Sequence, residues 1–266
     1  LRQKDVFVIQ PTCPPVNDNL MELMIMADAC RRASARNVTA VVPYFGYSRQ
    51  DRKSASRSPI TGKLVMDMLV DAGVQRVLSM DLHAAQVQGF ANIPVDNLYS
   101  LPVMVADIKK HYQKEDLVVV SPDVGGVRRA RSLAKELGCP IAIIDKRRDA
   151  PNSTQVLHVI GNVQNKTCIL YDDMIDTAGT ICKAADALHA HHGAAKVTAY
   201  ASHGVLSDPA LSRLSASSLT ETVLTDSIPM PDGAEAARIR PLPVAPLLAE
   251  AMHRVLTGAS LSALFE

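Results

Sequence analysis

Cys168 to Thr180 reads CILYDDMIDTAGT: an apolar run, two adjacent acids, a third acid, and a small hydroxyl-rich turn. Ile169, Leu170 and Tyr171 are strand formers that end at Asp172 and Asp173, which puts the acids at the carboxyl edge of a strand. Ile181, Ala184, Ala185 and Leu188 then recur at the spacing of one helical face, so a helix is predicted from near Thr180 to near Gly193. The first amides of a helix lack intrahelical partners, and its dipole is positive at that end. A phosphate can therefore be held by backbone N–H groups together with the hydroxyls of Thr177 and Thr180. Asp172 and Asp173 would repel that phosphate. They make sense facing the other end of a ligand, as acceptors for sugar hydroxyls or through a divalent metal. The competing reading is a strand-turn-helix connection in which Asp and Thr only cap the helix.

Working outward, short apolar runs alternate with helical patterns, the signature of parallel α/β layers. The strand candidates are Val6–Gln10, Val38–Phe45, Arg76–Leu82, Leu117–Asp123, Ile141–Asp145, the Cys168 run and Val197–Ser202. Between them Asn19–Arg36, with a capping residue at its start, Thr61–Asp71 and Gly125–Leu137 read as helices. Several strands end in acids or polar turns, and ligands bind at the carboxyl ends of such sheets. RVLSMDLHAAQVQGF (Arg76 to Phe90) repeats the order strand, acid, small polar turn, which points to two related halves.

At 266 residues the chain is long enough for one large or two modest α/β domains. A formal charge of +1 argues against bulk electrostatic capture of nucleic acid or membrane. No segment has the apolar length of a membrane span, and LRQKDVFVIQ lacks a signal-peptide pattern, so a cytoplasmic enzyme is expected. Five cysteines, Cys13, Cys30, Cys139, Cys168 and Cys182, form no CxxC spacing and read as reduced, small apolar residues.

The opening segment resembles the phosphoribosyl-diphosphate binding motif of phosphoribosyltransferases, and further blocks narrow the likeness. NDNLMELMIMADACRRASA (Asn17 to Ala35), PYFGYSRQDRK (Pro43 to Lys53), DLHAAQVQGF (Asp81 to Phe90), SPDVGG (Ser121 to Gly126), IIDKRR (Ile143 to Arg148) and LLAEA (Leu247 to Ala251) are similar to the ribose-phosphate pyrophosphokinase family. That resemblance implies an α/β fold of two similar phosphoribosyltransferase-like domains with mainly parallel sheets flanked by helices. It divides the chain into 1–98, joined by the tail 259–266, and 99–258, with a linker near Asp96 to Pro102. It also implies a homo-oligomer, hexameric or a related form, for which the wide apolar surface of the first helix is suited.

The implied reaction transfers the pyrophosphoryl group of Mg-ATP to the anomeric hydroxyl of ribose 5-phosphate. The resemblance assigns Arg49 and Gln50 to ATP, roles in which a guanidinium pairs with phosphate or stacks on a purine. His83 and Asp123 become ligands of Mg2+, with His83 beside the nucleotide. By itself a lone histidine is as readily a satisfied polar residue, and Asp123 an N-cap. Asp172, Asp173, Asp176, Thr177, Ala178, Gly179 and Thr180 become the ribose 5-phosphate site. Lys146 and Arg148 become the catalytic pair, with Arg148 also on ribose 5-phosphate. They sit in DKRRDAPNSTQ (Asp145 to Gln155), a polar stretch that reads as a long flexible loop, cationic where the cradle is anionic. HGVLSDPA (His203 to Ala210) resembles the family's region for regulatory phosphate.

Three departures stand out. The resemblance begins inside the family's usual first domain, after a Phe-Ser-Asp-Gly-Glu-like segment that contacts adenine across a subunit interface. SASRSPI (Ser54 to Ile60) is irregular against the usual loop, and Tyr171 stands where an aliphatic residue is usual. Two alternatives follow: a catalytically impaired or regulatory synthetase-like subunit, and a base-using phosphoribosyltransferase. The SRQDRK and DLHAAQ blocks have no reason to exist in the latter.

Overall fold

Strands that are apolar on both faces mark sheet interiors, and Val38–Val42 is buried throughout. The computed structural model describes residues 1–147 and 156–265, and for 146, 147, 156 and 157 the backbone alone. In chain order the first elements are β1 (Asp5–Ile9), α1 (Val16–Arg32), β2 (Asn37–Val42), α2 (Thr61–Asp71), β3 (Arg76–Met80) and β4 (Val95–Leu98). There follow α3 (Leu101–His111), β5 (Leu117–Ser121), α4 (Val127–Leu137), β6 (Ile141–Arg147), β7 (Val156–Ile160), β8 (Thr167–Ile175) and α5 (Gly179–His192). The chain continues through β9 (Lys196–Gly204), α6 (Ala210–Ala216), β10 (Thr222–Thr225), β11 (Ile239–Leu242) and α7 (Ala245–Thr257).

These elements form two units, Leu1–Ser100 with Ala245–Glu266, and Leu101–Val244. The sequence reading returned only 259–266 to the first unit, whereas α7 belongs with it as well. The linker expected near Asp96 to Pro102 is instead the end of β4 and the start of α3. β4 escaped notice because VDNL is four residues long with a polar centre, too short for a period of two to register.

The first unit holds a parallel four-stranded sheet, β1-β2-β3-β4. α1 buries Leu20, Leu23, Ala27 and Cys30, one face at helical spacing, against the sheet. Burial of Leu23 alone contributes on the order of 2 kcal/mol. The helix starts at Val16 after Pro15 without a side-chain cap, and Asn19 instead donates to the Cys13 carbonyl at 2.7 Å. The second unit holds seven strands in the order β11-β10-β9-β8-β5-β6-β7, parallel except for β6 against β7. One face packs on α5 through Ile181, Ala185 and Leu188, the other on α3 and α4 through Ile108 and Leu133. Tyr171, the residue that departs from the family pattern, is buried on the α3 and α4 side.

The stretch from Asp145, read from sequence as a loop, begins instead as strand. Asp145–Arg147 continue β6, with Asp145 opposite His158 of β7. Residues 148–155 lie outside the described residues. All five cysteines are free, and burial pushes the Cys168 thiol up to about 12, which leaves it an inert apolar side chain.

Candidate active site

In the seven-stranded sheet the chain leaves β5 through α4 toward β6 on one side, and leaves β8 through α5 toward β9 on the other. Strand order therefore reverses between β5 and β8, and a crevice opens at their carboxyl ends. β5 pairs with β8 only from Thr167 to Leu170, while β9 stays paired with it to Ile175. Beyond Leu170 the backbone of β8 has its β9 neighbour on one side and the crevice on the other. The acids do not end the strand, as the sequence reading had it. β8 runs through them to Ile175, with Asp172 half-buried and Asp173 5% exposed.

A guanidinium joins them. Arg129 Nη1, from α4, donates to Asp172 Oδ1 and to Asp173 Oδ1, each at 3.1 Å, and Asp172 Oδ1 also accepts the Asp173 amide at 2.9 Å. Burial, and next the charge of Asp173, push the Asp172 carboxyl well above the carboxylate range, while Arg129 pulls it down. The sequence reading missed Arg129, whose partners lie 43 and 44 positions away. One local signal existed: α4 carries no acid in its first turn and Arg129 is its third residue, a place where the helix dipole disfavours a cation.

The turn after β8 is built for close approach. Ala178 adopts a left-handed φ of 58°, a conformation costing an L-residue about 1–2 kcal/mol. It directs the chain into α5, whose first intrahelical bond is Cys182 N to Ala178 O at 3.0 Å. The amides of Gly179, Thr180 and Ile181 precede that bond, which leaves them as anion donors. A cavity of about 590 Å³ runs alongside, lined by Thr177, Gly179, Thr180, Lys183 and Arg213. Arg213 Nη1 donates to the Thr177 carbonyl at 2.9 Å, and a Cβ on Gly179 would stand 3.3 Å from that same nitrogen. Two cations thus flank a helix's positive end. Asp176 is half-buried at the turn's start. Across the crevice mouth, Asp123 Oδ1 accepts the Gly126 amide at 2.9 Å and its carboxylate stays partly exposed; the N-cap of α4 is Gly126 and not Asp123, whose bond closes the turn before the helix.

In the first unit, Arg49 and Gln50 are exposed in the turn-rich segment after β2. The Gln50 carbonyl accepts the Gly62 amide at 3.0 Å, so the segment rests on the first turn of α2. Asp51 accepts a hydrogen bond from Gln86, which lies in a short 3-10 turn, Ala85–Gly89, just past His83. His83 is exposed after β3, on a bend where Asp81 holds φ 41°. Asp81 Oδ2 accepts the Ser100 amide and Asn97 Oδ1 the Leu82 amide, each at 3.0 Å, which fixes the bend. The structure thus brings the Arg49–Gln50 segment and the His83 bend together within one unit. Lys146 lies on β6 opposite Leu157, described by its backbone alone, and Arg148 lies outside the described residues.

The fold and this sheet edge define an α/β protein with a strand-to-helix turn whose free amides and flanking cations suit an anionic group. Residues 1–73 match the N-terminal domain of ribose phosphate pyrophosphokinase, and 147–266 the phosphoribosyl synthetase-associated domain. The ribose-phosphate pyrophosphokinase of Cereibacter sphaeroides is 55% identical over 100% of this chain and 80% of its own length. That of Agrobacterium fabrum is 53% identical over 100% of this chain and 86% of its own. A crystal structure of phosphoribosylpyrophosphate synthetase from Mycobacterium smegmatis superimposes with a TM-score of 0.90 at 43% identity, covering 97% of this chain and 84% of that one. The chain belongs to the ribose-phosphate pyrophosphokinase family and is an enzyme of the transferase class.

Proposed function

We propose that the chain transfers the pyrophosphoryl group of ATP to the anomeric hydroxyl of ribose 5-phosphate, giving phosphoribosyl diphosphate and AMP. What carries this reading is the cradle on β8 and α5, in a chain 55% identical over its whole length to 80% of a ribose-phosphate pyrophosphokinase. In it Asp172, Asp173 and Asp176 accept the ribose hydroxyls. The amides of Ala178, Gly179 and Thr180, with the hydroxyls of Thr177 and Thr180, hold the 5-phosphate. The anomeric oxygen attacks the β-phosphorus in line. Transfer of this kind depends on positioning and on charge stabilisation, and the cationic role is assigned to Lys146 and Arg148.

Arg49 and Gln50 bind ATP. His83, in the first unit, and Asp123, in the second, are each assigned as candidate ligands of Mg2+, which would neutralise phosphate charge on the nucleotide. Among the described residues no three His, Cys, Asp or Glu side chains cluster to hold a metal. Mg2+ is an ion that keeps waters and binds through one or two protein groups plus substrate phosphates. Binding is then nucleotide-dependent. A homo-oligomer, hexameric or related, is supported by Met21 and Ile25, 52% and 61% exposed on α1. A cytoplasmic location is supported by the five free thiols. No helix among the described residues is long and apolar enough to cross a membrane.

The test is AMP release from Mg-ATP with and without ribose 5-phosphate. Ribose-dependent AMP is the expected result. Binding of ribose 5-phosphate without turnover would mark a regulatory subunit, and absence of binding would remove the cradle assignment.

A further inference from the structure

Arg129 stands where helix electrostatics alone would not put it. It is the third residue of α4, whose first turn carries no acid, so its charge faces the positive end of its own helix. The arrangement is worthwhile only if other partners offset that cost, and among them are both acids of the cradle. One nitrogen, Nη1, spans Asp172 Oδ1 and Asp173 Oδ1 at 3.1 Å each. Without it, two carboxylates on successive residues, one of them 5% exposed, would face each other with their repulsion poorly screened. One of them would take up a proton and become a donor. With Arg129 in place that repulsion is partly offset: its charge pulls the Asp172 carboxyl down against burial and Asp173, which favours the acceptor form that a ligand needs.

We propose that Arg129 is the positioning residue of the cradle: its guanidinium clamps the Asp172 and Asp173 carboxylates in the geometry in which they accept the ribose hydroxyls. The inference rests on the assignment of the cradle to ribose 5-phosphate. Arg129 acts through the acids and not on the reacting phosphorus. Its loss therefore weakens binding of one substrate in the ground state, and the chemical step is spared. The essential feature is one cationic nitrogen between two oxygens, so a lysine ammonium substitutes in part, and an uncharged side chain of similar length does not.

The experiment compares Arg129→Met and Arg129→Lys with the wild type by steady-state kinetics in both substrates. Calorimetric titration with ribose 5-phosphate runs alongside, a readout that needs no turnover. Arg129→Met is expected to raise both KM and Kd for ribose 5-phosphate by about tenfold or more, the scale of one charge-assisted bond. KM for ATP should stay within about twofold and kcat within about threefold. Arg129→Lys should recover most of the affinity. The proposal fails if Arg129→Met leaves ribose 5-phosphate affinity unchanged, if both KM values rise together, or if lysine is no better than methionine. Should the methionine variant not fold, wild-type-like stability with intermediate affinity in Arg129→Lys decides for the proposal, and unchanged affinity against it. Failure of the functional reading would look different: a wild type that binds ribose 5-phosphate but forms no AMP leaves the calorimetric comparison intact. A wild type that does not bind ribose 5-phosphate overturns both.

Discussion

Asp107 and Arg240, 133 positions apart, lock onto each other through two parallel bonds, Nη1 to Oδ1 at 3.0 Å and Nη2 to Oδ2 at 2.8 Å. Tyr200 donates its hydroxyl to Asp107 at 2.7 Å, and Arg240 Nε reaches Glu221 at 3.0 Å. Tyr112 completes the group through Glu221 and Thr198. The network ties α3, β9 and β11 together around the seven-stranded sheet.

Arg240→Met should therefore lower stability by on the order of 3 kcal/mol, because Asp107 would be left buried without its counter-charge. Burial alone would raise the Asp107 carboxyl, but hydrogen bonds from Arg240 and Tyr200 outweigh it and hold it below the ordinary range. The stability this gives is present above the ordinary carboxylate value and is lost as pH falls through the folded one. Urea denaturation of wild type and Asp107→Asn from pH 7 to pH 3 checks the sign: the asparagine variant should lose that acid-side slope.

Asp172 has the opposite sign. Its folded value is pushed up to about 7, by burial first and then by Asp173. Between the ordinary carboxylate value and about 7 the folded state holds more protons than the unfolded one, so its contribution to stability falls as pH rises through that window. Asp172→Asn should raise Tm at pH 8 by a few degrees and leave it nearly unchanged at pH 4.5, while weakening ribose 5-phosphate binding. Equal shifts at both pH values would reject the assignment.

Gly62 supports the segment assigned to ATP. A Cβ there would stand 3.1 Å from the Tyr47 carbonyl and 3.2 Å from that of Gln50. Gly62→Ala should push the Arg49–Gln50 segment outward by a few tenths of an ångström. The expected result is a KM for ATP raised about threefold to tenfold with little change for ribose 5-phosphate, as remote misplacement costs in positioning-dependent chemistry.

Lys146→Ala should lower kcat by about a hundredfold or more while ribose 5-phosphate affinity stays near normal, because its charge is assigned to the transition state. Near-normal turnover would remove Lys146 from the mechanism.

What the sequence reveals follows from the range of each interaction. α2 was readable to the residue, Thr61–Asp71, because its apolar positions repeat locally. The start of α5 was off by a single position, since the DTAGT turn announces it. β8 was cut short because acids read as strand ends, whereas β9 keeps the ladder going through them. α3, α6, α7, β10 and β11 were passed over as a group, their short or weakly periodic patterns being sustained by packing. The order of strand, acids, turn and helix was legible as a continuous segment. Arg129, the Asp51–Gln86 link and the Asp81 bend were not, since each depends on a partner that the fold alone brings near.

The first unit is assembled from segments on both sides of the second, with α7 arriving only after Leu101–Val244 has been made. On the ribosome the seven-stranded unit is a continuous stretch and can close its core as it emerges. The four-stranded unit must wait, its β1–β4 sheet already synthesised but lacking the helix that buries Leu248 and Ala251. Order of birth and order of completion are thus reversed, and the four-stranded unit is the one that spends longest unfinished.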